Sequence, residues 1–309
     1  MNKVNEIRII APSASAQTFM DSPKHVRRFQ EAQKVLSQFC NLLSFSKNAF
    51  EINKNNSSLI TSRIDDLHSA FEDKNVDAIF CARGGYNCNE LLQYIDWDII
   101  RHNPKVFMGF SDITVLCNAI YQMCGIPTFL GYNFIDYGRD SLSPRVISNT
   151  KNIMEYKTVD VSSEDAIIVN HGDAEGICIG GNLSSFMLLK GTQYMPRVQD
   201  AVLLLESDSY LAGDADKFFI RNLYSLLQDD LLKNIRGIII GQFEEEDHIN
   251  LSKFKQDIQS IAELKNIPII ANIRFSHKYP SEVFKIGSKI KFRAAVDNIN
   301  IGFHTNLFF

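Results

Sequence analysis

Short apolar runs alternate with helix-period stripes along the first half of the chain. Residues 7–11 (Ile-Arg-Ile-Ile-Ala) read as a buried strand, ended by Pro12 and the loop Ser13-Ala14-Ser15. Ser22-Pro23 is a helix start signal, and Phe29, Ala32, Val35, Leu36, Phe39 and Cys40 supply one apolar face behind it. Residues 42–45 can extend, Ile60, Ile64, Leu67 and Phe71 stripe a second helix, and residues 76–82 form a buried-type strand. Beyond Arg83-Gly84-Gly85-Tyr86-Asn87 come a helix through Leu91, Leu92 and Ile95, a strand over 105–110, a helix from Ser111 to about Met123, and a strand from Pro127. Alternation of this kind predicts a parallel sheet with helices on both faces.

Between Asp136 and Asp165 the pattern dissolves into Ser, Asn, Lys and Asp, which suits a linker. A second block follows. Its strands are expected near 175–179, 201–206, 237–243, 267–271 and 284–292, and its helices near 183–189, 214–227 and 251–264. The expected architecture is α/β in two domains, residues 1–140 and 166–309, joined by a linker over 141–165.

Composition narrows the function. The chain has 309 residues, 45% hydrophobic and 22% charged, which is ordinary for a globular protein and excludes disorder or fibrous repeats. Lys+Arg is 32 against Asp+Glu 36, a net charge of −4, so nothing in the overall balance draws the chain to nucleic acid or an anionic membrane. Its apolar runs, such as 201–205 and 237–241, are too short to span a bilayer, and the first residues lack the apolar segment of a signal peptide. Six cysteines form no C-x-x-C pair, and most lie inside apolar runs. A reducing, cytoplasmic setting without disulfides, metal or cofactor is therefore expected.

Five segments could carry chemistry. Gly109-Phe110-Ser111-Asp112 joins a strand to a helix, where a sharp turn can lift a serine hydroxyl clear and the helix N-terminus can stabilise an oxyanion. The same residues also suit a plain N-cap at Ser111. Arg83-Gly84-Gly85 ends a buried strand, as an anion-binding nest or as a turn needing positive φ. Glu206 ends the run Ala201-Val-Leu-Leu-Leu205, where a carboxylate needs a partner if it stays inside. Among the seven histidines, His277 stands out in the loop Asn272-Ile-Arg-Phe-Ser-His277, either as a base or as a solvated side chain. Gly180-Gly181-Asn182-Leu183-Ser184 joins another strand to a helix and could be only a turn and a cap.

Taken in order, these segments resemble the LD-carboxypeptidase family of serine peptidases, which includes the microcin C self-immunity proteins. The resemblance runs through Ile10-Ala-Pro-Ser13, Arg83-Gly-Gly-Tyr-Asn87, Gly109-Phe-Ser-Asp112, Gly180-Gly-Asn-Leu-Ser184, Gly191-Thr-x-Tyr-Met-Pro196, Leu203-Leu-Leu-Glu206 and His277-x-x-Pro280. It implies a catalytic triad of Ser111, Glu206 and His277, with an oxyanion hole at Gly85 and the amide of Asp112. It also implies an N-terminal domain like class I glutamine amidotransferases, a C-terminal domain supplying Glu and His, an active site between them, and a homodimer. Arg83 and Asn182 are expected to contact substrate. The implied reaction is hydrolysis of an amide next to a free carboxylate, in a muropeptide or in a peptidyl-nucleotide antibiotic.

The departures from the family pattern bear on substrate. Ser276 stands where relatives usually have Gly, Gly131-Tyr132-Asn133 replaces a common Gly-Pro, and Glu206-Ser207 replaces Glu-Asp, with Asp208 one place on. Residues 136–174 carry no Trp, unlike the microcin-immunity branch; the only one is Trp97. Against that, Asn87-x-Asn89-Glu90 and Gly191-Thr-Gln-Tyr-Met-Pro196 read closer to that branch, so both substrates stay open. A non-catalytic binding protein on the same scaffold is the alternative from another class. A cysteine amidotransferase is excluded by the elbow, whose nearest thiol, Cys117, lies inside the following helix.

Overall fold

The computed structural model describes residues 3–53, 55–140, 142–157, 159, 161–162, 164–207, 214–229, 234–244, 247–277, 282–295 and 298–303. Asp208, Pro280 and parts of the expected linker lie outside them.

The first half lays down β1 (Val4–Ile10), α1 (Pro23–Leu36), β2 (Cys40–Phe45), α2 (Ile60–Glu72), β3 (Val76–Cys81), α3 (Trp97–His102), β4 (Val106–Gly109), α4 (Thr114–Cys124) and β5 (Thr128–Leu130). These five strands pair in parallel in the order 2-1-3-4-5. The order of strands reverses between β1 and β3, and in open sheets ligands gather beyond the carboxyl ends of the strands at such a switch point. β4 is buried along its whole length, as a parallel strand covered on both faces must be. Ser22 caps α1 by accepting from the His25 N–H, with Pro23 at the first helical position. The helix expected through Leu91 and Ile95 is a tight 3-10 segment, Cys88–Tyr94.

Residues expected as linker include α5 (Pro144–Met154), started by a Ser143 cap. Val146, Ile153 and Met154 of this helix pack into the same core as Phe29, Phe134 and Tyr137. It escapes the hydrophobic pattern because Asn149 and Thr150, also on its buried side, are polar and bonded to the Tyr132 and Tyr137 hydroxyls.

The second half adds β6 (Ile167–Asn170), β7 (Gly172–Asn182), α6 (Leu183–Met187), β8 (Ala201–Glu206), α7 (Ala215–Leu227), β9 (Ile235–Gly241), α8 (Leu251–Gln259), β10 (Ile269–Ile273), β11 (Phe284–Ile286), β12 (Lys289–Ala295) and β13 (Asn298–Phe303). Its sheet runs 13-12-7-8-9-10-6, parallel from β7 to β10 and antiparallel at the margins. The single strand expected over 284–292 is two strands in different sheets. β11 pairs antiparallel with β5 of the first sheet, then Gly287, at φ +80°, turns the chain back so that β12 lies on β7. A Cβ at Gly287 would sit 2.2 Å from the Tyr121 ring of α4, so the turn needs glycine for both space and φ.

The sheets meet through α4. Asn118 accepts from the Gly180 N–H (3.0 Å) and donates to its carbonyl (2.8 Å), and Thr114 Oγ1 accepts from the Asn182 N–H (3.0 Å). A Cβ on Gly181 would lie 2.3 Å from Leu130 and 2.6 Å from Thr114 Oγ1. The Gly180-Gly181 pair thus serves close approach between the sheets. One apolar core runs through this junction, from Phe107 and Leu130 to Leu203 and Phe284.

Candidate active site

Ser111 sits at φ +65°, a left-handed conformation costing a non-glycine residue about 1–2 kcal/mol. Phe110 before it is fully extended, so the chain turns sharply as it leaves β4. Gly109 permits the turn, since a Cβ there would meet Ile113 at 2.4 Å. The N-cap reading of Ser111 fails: it is the first residue of the 3-10 turn that precedes α4, and its hydroxyl faces away to His277 Nε2 at 2.8 Å.

His277 follows β10, and its Nδ1 lies 3.1 Å from Glu206 Oε2. Glu206 ends β8 and is completely buried. β7 and β8 are in register with Asn182 opposite Glu206, and Asn182 Nδ2 donates to Glu206 Oε1 at 2.9 Å. Asn182 Oδ1 meanwhile caps α6, accepting from the Ser185 N–H at 3.0 Å and from the Ser184 and Ser185 hydroxyls. Asn182 is therefore a prop for Glu206. Expected as a substrate contact, it is 1% exposed with both ends of its amide engaged inside the protein. The Phe110 ring packs against the imidazole, centroids 4.8 Å apart.

The Asp112 side chain is buried and pins the elbow. Its Oδ2 accepts from Ser13 Oγ (2.5 Å) and the Cys88 N–H (2.9 Å), drawing together the loops after β1 and β3. Burial pushes its carboxyl above the usual range, against the pull of those bonds. Buried Arg63 ties the same two loops by donating to the Pro12 carbonyl (3.2 Å) and the Asn87 carbonyl (3.0 Å). Of the two glycines, Gly84 stands against the serine: a Cβ there would lie 2.7 Å from Ser111 Cβ, while one on Gly85 would strike Ser13 Oγ.

The sequence pattern does not disclose a second polar chain that joins elbow and histidine loop through their backbones. Asn133 Oδ1 accepts from the Phe110 N–H (3.0 Å), and Asp136 Oδ2 accepts from the Asn133 N–H (2.9 Å). Arg139 grips Asp136 Oδ1 with Nε and Nη2 and donates to the His277 carbonyl (3.2 Å). The N-x-x-D spacing of a capping box at 133–136 is its one legible signal. Ser276 is buried, its hydroxyl without a hydrogen-bond partner among the described residues.

Ser111 and His277 open on a cleft of about 380 Å³ whose walls include Arg28, Arg83, Gly85 and Tyr86. Arg83 donates to Thr18 Oγ1 at 2.9 Å and lies 5.5 Å over the Phe19 ring. Among the described residues no helix is long and apolar enough to cross a membrane, and no three His, Cys, Asp or Glu side chains group as metal ligands.

A serine on a strained elbow, bonded to a histidine that is bonded to a buried carboxylate, is an arrangement that suits a serine-type hydrolase. Models of the LD-carboxypeptidase N-terminal domain and C-terminal domain match residues 7–131 and 175–292. The chain is 34% identical to YocD of Bacillus subtilis over 95% of each protein. It is 29% identical to the murein tetrapeptide carboxypeptidase of Pseudomonas aeruginosa over 60% of this chain and 62% of that one. An MccF-like protein from Bacillus anthracis superposes with a TM-score of 0.90 at 35% identity, over 98% of this chain and 97% of the other. The chain belongs to the LD-carboxypeptidase family and is a serine-type carboxypeptidase.

Proposed function

We propose that Ser111, His277 and Glu206 hydrolyse an amide bond adjoining a free carboxylate. The observation carrying this reading is the unbroken row Ser111 Oγ–His277 Nε2 (2.8 Å) and His277 Nδ1–Glu206 Oε2 (3.1 Å). His277 takes the serine proton as Oγ attacks the carbonyl carbon and passes it to the departing amine. Glu206 holds Nδ1–H and supports the imidazolium. The acyl-enzyme is then hydrolysed by water through the same base. The Asp112 amide and the Gly85 amide receive the oxyanion. Arg83, a cation on the cleft wall, suits the substrate carboxylate.

The substrate is a muropeptide with an L,D-amide; no Trp in residues 136–174 offers a platform for a nucleobase. The likeness to an MccF-like protein supports a second reading, a peptidyl-nucleotide of the microcin C type. Release of D-alanine from a murein tetrapeptide, with no cleavage of an aminoacyl sulfamoyl nucleotide, selects the first. Ser111→Ala and His277→Ala should each drop to the same residual rate, and the double variant should cost little more, because the members act as a unit. A wild-type enzyme whose Ser111 resists a fluorophosphonate supports the non-catalytic alternative. Sedimentation tests the homodimer.

A further inference from the structure

Two arginines on the cleft wall have no carboxylate within ion-pair distance among the described residues. They are Arg28 of α1 and Arg83 after β3. Their neighbour Arg139 is committed to Asp136 and the His277 carbonyl. Among the described residues Arg28 is held by one long hydrogen bond, Nη2 to the Ile135 carbonyl at 3.3 Å, and its buried Nε has no hydrogen-bond partner. Its backbone, in contrast, is fixed: a Cβ on Gly138 would collide with the Arg28 carbonyl, so α1 is seated directly on the 134–138 turn. A firmly seated base with a guanidinium only partly satisfied is the arrangement of a side chain that can accept an anion, since a buried guanidinium donor left unpaired is costly. Burial, and then the like charge of Arg139, depress the basicity of Arg28 against the opposing pull of Asp136 and Asp140, and a further negative charge in the cleft would raise it.

We infer that Arg28 is a specificity-determining residue: with Arg83 it forms a two-guanidinium subsite for the free α-carboxylate of the residue on the leaving side of the scissile amide. This rests on the proposed reading of Ser111 as nucleophile, which fixes that cleft as the substrate cleft. A carboxylate offers four lone-pair sites and can accept from two forks at once, whereas a carboxamide cannot. Selectivity for a carboxyl terminus then resides in the cleft wall, apart from the bond-breaking groups.

The test compares a murein tetrapeptide with the same peptide ending in a carboxamide. Binding is measured by calorimetry on Ser111→Ala, with and without Arg28→Met, and turnover is measured on Arg28→Met and Arg28→Lys. The acid should bind Ser111→Ala more tightly than the amide by about 10- to 100-fold, the range of a charged hydrogen bond. Arg28→Met should erase most of that preference by weakening the acid alone. In turnover it should raise KM for the acid with little change in kcat, and Arg28→Lys should recover part of the loss. Equal affinity for acid and amide in Ser111→Ala, binding of neither, or an Arg28→Met that weakens both alike overturns the subsite. Discrimination in binding without any turnover by the wild type would instead overturn the hydrolase reading and leave the subsite standing.

Discussion

Replacing Glu206 by glutamine should do far more damage than its near-identical shape suggests. The reason lies one residue away, at Asn182. Its Oδ1 faces the Ser185 backbone N–H, which can only donate, so the Asn182 amide cannot flip and Nδ2 must donate toward position 206. A glutamine there must answer with its carbonyl and so present its NH2 to His277 Nδ1. Nδ1 must then accept, the ring proton moves to Nε2, and Nε2–H donates to Ser111 Oγ when it should be accepting. Restoring the working tautomer requires turning the glutamine so that its NH2 faces the Asn182 NH2, leaving two buried donors unsatisfied at about 1–3 kcal/mol each. Their sum, about 2–6 kcal/mol, is about 1.5 to 4 decades in kcat, at 1.36 kcal/mol per decade. Folding should survive, because a neutral amide is easier to bury than a charge. The geometry also specifies a rescue. In Glu206→Gln with Asn182→Asp, one Asp oxygen still caps Ser185 and the other accepts from the glutamine NH2, turning its carbonyl to Nδ1–H. The double variant should regain about 10- to 100-fold over Glu206→Gln, by the same hydrogen-bond bookkeeping. Asn182→Asp alone should be harmful, since it sets two carboxylates face to face. Turnover of a murein tetrapeptide, with melting curves alongside, decides the matter. A Glu206→Gln enzyme near wild-type rate, or a double variant no better than the single, would refute the tautomer argument.

Gly84→Ala should displace the Ser111 side chain, whose Oγ lies 2.9 Å from the new Cβ, lowering kcat by about 100-fold, typical of an ångström-scale misplacement. The rate of fluorophosphonate labelling should fall in parallel. Arg139→Ala should lower kcat by roughly 10-fold with little effect on KM, because it frees the His277 carbonyl from the Asp136 strut, and Arg139→Lys should recover part of the rate. Burial pushes the Asp66 carboxyl up to about 6 despite hydrogen bonds from Asn48. The folded state therefore holds this proton more tightly than the unfolded chain, and stability falls as pH rises from about 4 through 6. Asp66→Asn should gain about 1–3 kcal/mol over wild type on going from pH 4 to 7.5 in denaturant titrations; parallel curves would refute the assignment. Ser276→Ala should raise stability by about 1 kcal/mol, by removing a buried hydroxyl that has no partner among the described residues, and a lower melting temperature would count against that.

Continuous apolar runs made β4 and β8 legible in the sequence, because strands covered on both faces need no polar positions. Ser111 was ambiguous for a physical reason: a strand, a serine and a helix describe an elbow and a cap equally, and the sign of φ separates them. α5 was concealed by buried polar residues that satisfy tyrosine hydroxyls, although Ser143-Pro144 repeats the start signal of Ser22-Pro23. β11 has only three residues, and nothing local says that its partner lies in the other sheet. The cap at Asn182 was legible in Gly-Gly-Asn-Leu-Ser, but its bond to Glu206 was not. What it props becomes visible only through the register of β7 and β8.

The crossing of β11 into the first sheet has a mechanical consequence. The chain leaves the second sheet after β10, lends three residues to the edge of the first, and returns as β12. Prising the halves apart would strip that border strand from β5 and leave its backbone groups bare, so they are not jaws on a hinge. The width of the cleft is thereby tied to the pairing of β11 with β5. Heat acts on the same seam: parting β11 from β5 also carries His277 away from Ser111, so melting and inactivation should be a single event.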